Sequence, residues 1–276
     1  MPETEGFVDG TLLRQVAEGI AWFTLNRPDA GNALTPDQRN TLIDLLHQAD
    51  LDPDVRAVVI ASTGKHFCTG ADLRAPQPQM EEAEDGSDPP PGTVMRVLAA
   101  GAQRLVAAVQ DCQKPVVAAV NGTAAGIGAH LVLACDLVVA AEEASFIEVF
   151  VRRGILPDGG GCYLLPRTIG MQRAKELVML GDRLSAADAY VFGMVNRVVP
   201  AGDLEATARE LATRLAQGPT IALGLAKRLL NRSLDVDRAS LFFEESMAQE
   251  LVTRSEDATE GIASFVERRP TSFRGR

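Results

Sequence analysis

Two turns rich in glycine are the stretches of this sequence whose residue types and spacing could do chemistry. One contains Gly70-Ala71-Asp72 and the other Gly126-Ile127-Gly128, and each follows an apolar run typical of a buried strand. Glycine lets a ligand approach bare main chain, and free N–H groups at a helix start favour an anion or a developing oxyanion. Each turn could therefore offer one N–H to a shared carbonyl oxygen, or both could be only tight turns.

Asp158 and His130 are the candidate acid–base side chains. Asp158 stands in a Pro-Asp-Gly-Gly turn before a helical pattern, where it could act as an acid or base or serve only as an N-cap. His130 lies on the apolar helix about one turn after Ile127. It could take part in catalysis or be a histidine of the core.

Two other carboxylates near these turns have simpler interpretations. Asp72 resembles a second N-cap. Glu148 alternates with Phe146 and Phe150 in a predicted short strand. It could therefore be a solvated or a paired carboxylate.

The sequence lacks the motifs that mark several other kinds of site. The histidines are His47, His66 and His130, with no HExxH motif and no Cys/His cluster, so we expect no metal site. Leu131 occupies the place of the third glycine in a dinucleotide motif, and the sequence contains neither a Walker motif nor GxSxG. We therefore expect neither a dinucleotide site nor a serine hydrolase.

The composition is that of an ordinary soluble globular protein. The 276 residues are 46% hydrophobic and 23% charged, with a formal net charge of −10. That charge argues against nucleic acid or an anionic membrane as the main partner. The start of the chain has no signal-peptide pattern, and the most apolar stretch, Ala118–Ala141, is interrupted by polar residues and glycines. We therefore expect a cytoplasmic location.

The cysteines fit the same compartment. Cys68, Cys112, Cys135 and Cys162 form no CxxC pair and have no metal-ligand spacing. We interpret them as reduced thiols of the core.

Local signals mark the first elements of the chain. Thr11–Val16 and Ile20–Leu25, separated by a glycine turn, predict an antiparallel hairpin. Thr35-Pro36 predicts the N-cap and the first residue of a helix.

Periodicity predicts an α/β protein of two parts. Residues 1–202 repeat a strand–strand–helix unit over 17–50, 55–111, 115–134 and 137–192, with one long helix predicted from Thr93 to about Cys112. Residues 203–276 carry helical patterns only, so we place a domain boundary near Val199–Asp203. Between these elements, Arg74–Gly92 is rich in proline and acid and predicts a mobile surface loop.

Five separated motifs, in this order, resemble the crotonase (enoyl-CoA hydratase/isomerase) superfamily. They are LNRPDAGNAL, FCTGADL, KPVVAAVNGTAAGIGAHLVLACDLVVA, GILPDGGGCYLLPRTIG and SFVERRP. The resemblance implies a spiral of repeated ββα units with a C-terminal α-helical region used in trimer assembly. It also implies that the N–H groups of Ala71 and Ile127 hold the carbonyl oxygen of an acyl-CoA thioester.

The resemblance further implies where coenzyme A would lie. Its 3′-phospho-ADP end would lie near Asn26–Leu34 and Phe67–Arg74, with help from the C-terminal segment of a neighbouring subunit. By motif position the residues are Arg27, Ala30, Asn32, Ala33, Leu34, Lys65, Phe67, Asp72, Leu73, Arg74, Gly126, Phe150, Phe265 and Arg268. Coenzyme A would be part of the substrate, so no separate cofactor is expected. The expected assembly is a homotrimer or a hexamer made of two trimers.

The chain departs from the hydratases of this family at both catalytic positions. Hydratases carry two glutamates, where this chain has His130 and, by alignment, Phe150. Phenylalanine can neither activate water nor donate a proton. The motifs instead most resemble the ring-1,2-epoxyphenylacetyl-CoA isomerase group, in which the aspartate of the PDGG turn, here Asp158, acts as the acid/base. In the 4-chlorobenzoyl-CoA dehalogenase branch, an aspartate at that position acts as a nucleophile.

Three functions follow as hypotheses. The first is an acyl-CoA isomerase in which Asp158 moves a proton. The second is an atypical hydratase or a hydrolase that uses His130 and Asp158 on a bulky acyl-CoA, and the third is an acyl-CoA binder without catalysis. We also expect the Arg74–Gly92 loop to border the acyl pocket.

Overall fold

A computed structural model describes residues 4–76 and 88–276 of the chain. The predicted mobile loop falls largely on residues 77–87, which lie outside the described residues. Its mobility and its place beside the acyl pocket therefore stay predictions.

Two mixed sheets form the core of the fold. The larger has the order β1-β2-β3-β4-β6-β8-β11, antiparallel between β1, β2 and β3 and parallel beyond them. The smaller has the order β10-β9-β7-β5. The strands are β1 Thr4–Phe7, β2 Leu12–Ala17, β3 Ile20–Leu25, β4 Ala57–Ser62, β5 His66–Cys68, β6 Val116–Val120, β7 Thr123–Ala125, β8 Leu137–Ala141, β9 Ser145–Ile147, β10 Arg183–Ser185 and β11 Arg197–Val199.

Helices cover both faces of the larger sheet and form the C-terminal part. They are α1 Pro36–Leu51, α2 Thr93–Ala100, α3 Ala102–Asp111, α4 Ile127–Ala134, α5 Gly161–Ile169, α6 Met171–Leu180, α7 Ala186–Val191, α8 Leu204–Ala216, α9 Thr220–Arg232, α10 Arg238–Val252 and α11 Glu256–Glu267. Residues 203–276, all of them described, contain no strand. The architecture is the predicted α/β fold, a core of repeated strand and helix units followed by helices.

Strand β4 shows why the central strands are continuously apolar. Val58 and Ile60 face the main core, whereas Val59 and Ala61 face a second cluster on the other side of the sheet. Helix α8 covers this second cluster. A parallel strand buried on both faces needs apolar residues at every position. Because α8 packs on the sheet, residues 204–216 are part of the core. The domain boundary near Val199–Asp203 stays a prediction.

Several local predictions are confirmed. Strands β2 and β3 form the expected antiparallel hairpin. Thr35 caps α1, its hydroxyl accepting from the N–H of Gln38, whose side chain in turn accepts from the N–H of Thr35. Pro36 occupies the first helical position. These signals are local, so the sequence carries them directly.

The single long helix predicted from Thr93 is wrong, because the chain breaks at Gly101 into α2 and α3. Gly101 has φ −111° and ψ −101°, outside the helical region. The guanidinium of Arg39 lies against it, and a Cβ at this position would come within 2.6 Å of Nη1. A contact with a residue of α1, distant in sequence, therefore accompanies the break.

The predicted strand that contained Glu148 ends earlier. Strand β9 stops at Ile147, and Val149–Arg153 form a short 3₁₀ helix that includes Phe150. Glu148 is therefore at the N-cap position of that helix and does not alternate within a strand. The weak alternation of the sequence did not distinguish a short strand from one followed by a helical turn.

The four cysteines are free thiols, but only some belong to the core. Cys68 and Cys112 are buried, Cys135 is partly buried and Cys162 is exposed. The interpretation of Cys162 as a core thiol is wrong, because α5 turns Leu164 and Leu165 inward instead. Burial raises the pKa of the Cys112 thiol to about 11. None of the helices in the described ranges combines the length and apolar character needed to cross a bilayer.

Candidate functional site

Strands β5 and β7 place the two glycine turns side by side. The strands pair in parallel, so their carboxyl ends meet at one edge of the smaller sheet. Gly70 and Gly126 both have positive φ, +117° and +55°, which other residues adopt only with strain. A Cβ added to Gly126 would lie 3.8 Å from the Cα of Gly70. The two turns therefore lie almost in contact with each other.

Local hydrogen bonding leaves the N–H groups of Ala71 and Ile127 available. The N–H of Leu34 donates to Gly70 O at 2.8 Å and Leu34 O accepts from the N–H of Asp72 at 2.9 Å. These bonds turn the Ala71 N–H away from Leu34. Ile127 begins α4, where the first N–H groups have no partner within the helix. Within the described ranges neither N–H donates to a protein acceptor, as a backbone oxyanion hole requires.

Gly128 lets α4 approach β5 closely enough to build this arrangement. A Cβ at this position would overlap the carbonyl oxygen of Cys68. The first turn of α4 therefore packs directly on the main chain of β5. This contact fixes the Ile127 N–H relative to the neighbouring turn.

A cavity of about 210 Å³ opens in front of the two turns. Ala71 and Ile127 lie in its wall, together with mostly apolar side chains, among them Leu34, Val97, Leu98, Ala102, Phe150 and Ile155. Asp158 is the one carboxylate on the described wall, and Arg39 and Arg153 supply positive charge. A small, largely apolar pocket with a few convergent polar groups is typical of a ligand site.

Asp158 is not the N-cap that the sequence also allowed. Helix α5 begins at Gly161, and its N-cap is Gly160 without a side-chain cap bond. Burial raises the pKa of the Asp158 carboxyl above its usual range, with the nearby His130 opposing this shift and Glu148 adding to it. A carboxyl group whose pKa is raised toward neutral pH is better suited to give and take protons.

His130 lies behind the cavity wall and is fully buried. Its Nε2 lies 3.1 Å from Oε2 of Glu148, which is also buried. The ring stacks on Phe150, with 5.1 Å between ring centroids and 12° between planes. Its Nδ1 has no hydrogen-bond partner among the described residues, and a Cβ on Gly159 would come within 2.9 Å of it. The imidazole therefore supports the turn that carries Asp158.

Sequence reasoning missed two side chains of this site, Arg39 and Arg153, and left the role of a third, Glu148, open. Of the two alternatives left open for Glu148, the paired one is correct, and its partner is His130. Arg39 and Arg153 line the cavity but carry no motif of their own. Their position in the wall depends on how α1 and the 3₁₀ helix pack, which the local sequence does not encode.

The residues expected near coenzyme A form adjoining loops. The side chain of Asn32 joins them by accepting from the N–H of Arg27 at 2.7 Å and donating to His66 O at 2.7 Å. Asp72 is buried and pairs with Arg27 at 2.7 Å, so it ties the loops together. Its Oδ1 accepts from the N–H of Arg74 at 3.0 Å in a turn, and residues 73–76 are not helical. Hydrogen bonds from Arg74 and Arg27 hold the pKa of Asp72 below its usual range.

The other residues expected near coenzyme A differ in their burial and in their distance from the cavity. Phe67 is fully buried in the core, so neither its side chain nor its main chain is exposed to a ligand. Leu34, Leu73, Gly126 and Phe150 line the cavity. Phe265 is 85% exposed on α11, and Arg268 follows that helix with φ +57°. Within this chain neither of these two residues lines the cavity. Among residues 4–76 and 88–276 no cluster of His, Cys, Asp and Glu could hold a metal ion.

Comparisons with known proteins agree on one family. The family model for enoyl-CoA hydratase/isomerase matches residues 15–276. A "1,2-epoxyphenylacetyl-CoA isomerase" of Escherichia coli is 37% identical over 269 residues, covering 96% of this chain and 98% of the relative. A "Probable enoyl-CoA hydratase" of Rhodobacter capsulatus is 36% identical over 266 residues, covering 96% and 98%.

A solved structure has the same fold. The crystal structure of an enoyl-CoA hydratase/isomerase from Cupriavidus metallidurans superposes with a TM-score of 0.87 at 33% identity, covering 96% of each chain. The chain therefore belongs to the enoyl-CoA hydratase/isomerase family of the crotonase superfamily, whose members act on acyl-CoA thioesters.

Proposed function

We propose that this protein is an acyl-CoA isomerase in which Asp158 carries a proton between two carbons of an enoyl-CoA-type thioester. One observation carries the proposal: Asp158 is the only carboxylate on the described cavity wall. The resemblance to the family adds that Phe150 stands where hydratases have their second glutamate. A proton shuttle needs one carboxylate, whereas addition of water needs groups to activate the water and protonate the α-carbon. The described wall supplies the single carboxylate that a proton shuttle needs, and it lacks the further acid–base group that addition of water needs.

The proposed reaction begins with binding of the thioester oxygen by the N–H groups of Ala71 and Ile127. As the substrate loses a proton, negative charge grows on this oxygen, and the two N–H groups stabilise it. In other enzymes the loss of one such donor costs about 3–4 kcal/mol. The Asp158 carboxylate takes a proton from the α- or γ-carbon and returns it to another carbon. The double bond moves, and the enzyme recovers its starting protonation state.

His130 and Glu148 act in this proposal as positioning residues. The imidazole is fully buried and held by Glu148 on one side and Phe150 on one face. It packs against Gly159, the residue next to Asp158. A rigid support of this kind holds the carboxylate near the productive geometry, and errors of about 1 Å cost roughly 10²-fold in rate.

A hydratase or hydrolase is the second candidate, favoured by the name of the Rhodobacter capsulatus relative. It would require His130, or a water that Asp158 activates, to reach the acyl group. The complete burial of His130 weighs against its direct contact with water. A binder without catalysis is the third candidate, and it would leave the raised pKa of Asp158 without a use.

Product analysis in ¹⁸O-labelled water separates these candidates. The protein is given 3-enoyl-CoA and ring-epoxide thioesters, and the products are followed by mass spectrometry and NMR. We expect a shifted double bond or an opened ring without uptake of ¹⁸O. Uptake of the label into a hydroxyacyl-CoA, or release of free coenzyme A, would contradict isomerisation, and tight binding with no product would indicate the binder.

We also propose the assembly expected from the family, a homotrimer or a hexamer made of two trimers. Helices α10 and α11 expose large apolar side chains, including Phe242, Phe243, Met247, Ile262 and Phe265. Exposed apolar patches of this kind mark contact surfaces. Sedimentation equilibrium at several concentrations tests the assembly, and a monomer at micromolar concentration would contradict it.

A further inference from the structure

Asn32 is a buried polar residue for which proton transfer has no direct use. It is 2% exposed and has φ +54°. This left-handed region is uncommon for residues other than glycine, and asparagine is among those that adopt it most readily. The resemblance to the family placed Asn32 among the residues expected near coenzyme A. Buried polar atoms need hydrogen-bond partners, so the partners of the side chain show what it holds.

The polar atoms of the Asn32 side chain all bind the protein itself. Its Oδ1 accepts from the N–H of Arg27 at 2.7 Å. Its Nδ2 donates to Thr63 O at 2.8 Å and to His66 O at 2.7 Å. A side-chain amide has two donor hydrogens, and both are used here, so neither remains for coenzyme A. The side chain therefore joins the loop after β3 to the turn between β4 and β5.

The main chain around Asn32 holds the glycine turn that contains Ala71. Residues 31–34 pair with residues 69–72 through three main-chain hydrogen bonds of 2.8, 2.9 and 3.1 Å. Within this pairing, Leu34 and Ala71 lie side by side as in a parallel sheet. The position of residues 31–34 therefore sets the position of Ala71 and the direction of its N–H.

Residues 31–34 depend on these bonds because they belong to no helix or strand. The Asn32 amide holds them to residues 63–66 on one side, and main-chain bonds hold them to residues 69–72 on the other. These bonds replace the regular hydrogen-bond ladder that fixes a helix or a strand. Loss of the amide would leave one side of the segment without its attachment.

We propose that Asn32 is a positioning residue for the oxyanion hole and not a ligand of coenzyme A. Its amide fixes residues 31–34, and these residues fix the Ala71 N–H that binds the thioester oxygen. A displacement of about 1 Å in such a group costs roughly 10²-fold in rate. The inference rests on the part of the proposed function in which Ala71 is one of the two donors.

The test measures hydrogen bonding to the thioester oxygen without any turnover. Hexanoyl-CoA labelled with ¹³C at the thioester carbonyl is bound to the unaltered protein and to Asn32→Gly, and infrared difference spectra record the carbonyl band. Glycine keeps the left-handed backbone angle and removes only the side chain. Hydrogen bonds weaken the C=O bond, so we expect binding to lower the frequency in the unaltered protein. In Asn32→Gly we expect less than half of this shift.

Binding and turnover distinguish positioning from contact with coenzyme A. Calorimetry should give an affinity of Asn32→Gly for hexanoyl-CoA within about fivefold of the unaltered protein, whereas kcat with 3-enoyl-CoA should fall about tenfold or more. Asn196→Ala is the matched control. The Asn196 side chain also holds main chain, accepting from the N–H of Val138 at 2.7 Å, and neither residue lines the cavity. Its carbonyl band and kcat should match those of the unaltered protein.

Thr69→Val tests the same pairing if Asn32→Gly does not fold. The Thr69 hydroxyl donates to Gly31 O at 3.1 Å, while the main-chain bond between these residues remains in the variant. We expect a smaller carbonyl shift than in the unaltered protein. A full shift in the folded Asn32→Gly, or in Thr69→Val where the former does not fold, would overturn the inference.

Two other results separate this inference from the proposed reaction. A full shift in Asn32→Gly together with much weaker binding would make Asn32 a ligand of coenzyme A and overturn the inference. No shift in the unaltered protein would contradict the oxyanion hole and the inference together. A shift that depends on Asn32, in a protein that does not isomerise the substrates, would contradict the proposed reaction and still support the inference.

Discussion

Nε2 of His130 and Oε2 of Glu148 lie 3.1 Å apart, and both side chains are buried behind the cavity wall. The other nitrogen of the imidazole, Nδ1, lies beside Gly159, where a Cβ would come within 2.9 Å of it. His130 therefore lies behind the wall as a support for the turn that carries Asp158. The neighbouring Asp158 is the carboxylate that lines the described part of the cavity.

Glu148→Ala should reduce both stability and turnover. It leaves the buried imidazole without its partner, so we expect the free energy of unfolding to fall by about 3 kcal/mol. Because the support of Asp158 loosens, kcat should fall about tenfold or more while KM changes little. Urea unfolding and steady-state kinetics measure both effects.

The matched variants are Glu148→Gln and Glu143→Ala. The amide of Gln can still accept a hydrogen bond from His130, so it should restore most of kcat. Glu143 is exposed, and its replacement should change unfolding by no more than about 0.5 kcal/mol. Equal kcat in Glu148→Ala and the unaltered protein would show that the pair is only structural.

Gly128→Ala should displace the Ile127 N–H of the proposed oxyanion hole. The added methyl group would overlap Cys68 O, so α4 must shift away from β5 and carry the Ile127 N–H with it. Overpacking of this kind costs about 1–3 kcal/mol, and kcat should fall by about 10²-fold. Gly202→Ala is the control, because nothing lies within 4 Å of the added Cβ. Unchanged activity in Gly128→Ala would argue against Ile127 as a donor.

Asp158 should set the acid limb of the pH profile. The base must be ionised to take a proton, so turnover is lost as the pH falls through its pKa. Burial raises that pKa, which places the limb of kcat/KM above about 3.9, the ordinary aspartate value. The profile is measured over the range in which circular dichroism shows the folded state. A limb at or below that ordinary value would mean that another group titrates.

Lys227→Met should weaken the attachment of α9 to the core. The ammonium lies 2.8 Å from Oδ2 of Asp136 and donates to Val109 O at 2.8 Å. Removing one member of a buried ion pair leaves the other uncompensated, which costs about 3–5 kcal/mol. Arg228 is the exposed neighbour, and Arg228→Met should cost about 0.5 kcal/mol or less. Similar unfolding free energies for the two variants, measured at one protein concentration, would contradict this role.

The sequence was sufficient for features encoded by local patterns. Glycines after apolar runs predicted the turns at Gly70 and Gly126, and the Thr35-Pro36 pair predicted the start of α1. The PDGG turn pointed to Asp158, which the structure places in the cavity wall. These signals depend on backbone angles and capping, which a few adjacent residues determine.

Features that depend on distant contacts were not predictable in this way. The break at Gly101 adjoins Arg39, which is distant in the chain. The partner of His130 lies beyond the end of β9, in a stretch whose alternation resembled a longer strand. Arg153 has no motif, and only packing shows that it faces the cavity.

The most direct test of the central claim is the turnover of Asp158→Asn with 3-enoyl-CoA and ring-epoxide thioesters. Asp182→Asn is the matched control, because Asp182 is an exposed aspartate that pairs with Arg152. The account predicts that Asp158→Asn loses about 10²–10⁴-fold in kcat while it still binds hexanoyl-CoA within about threefold of the unaltered protein. Full turnover in Asp158→Asn would contradict the account.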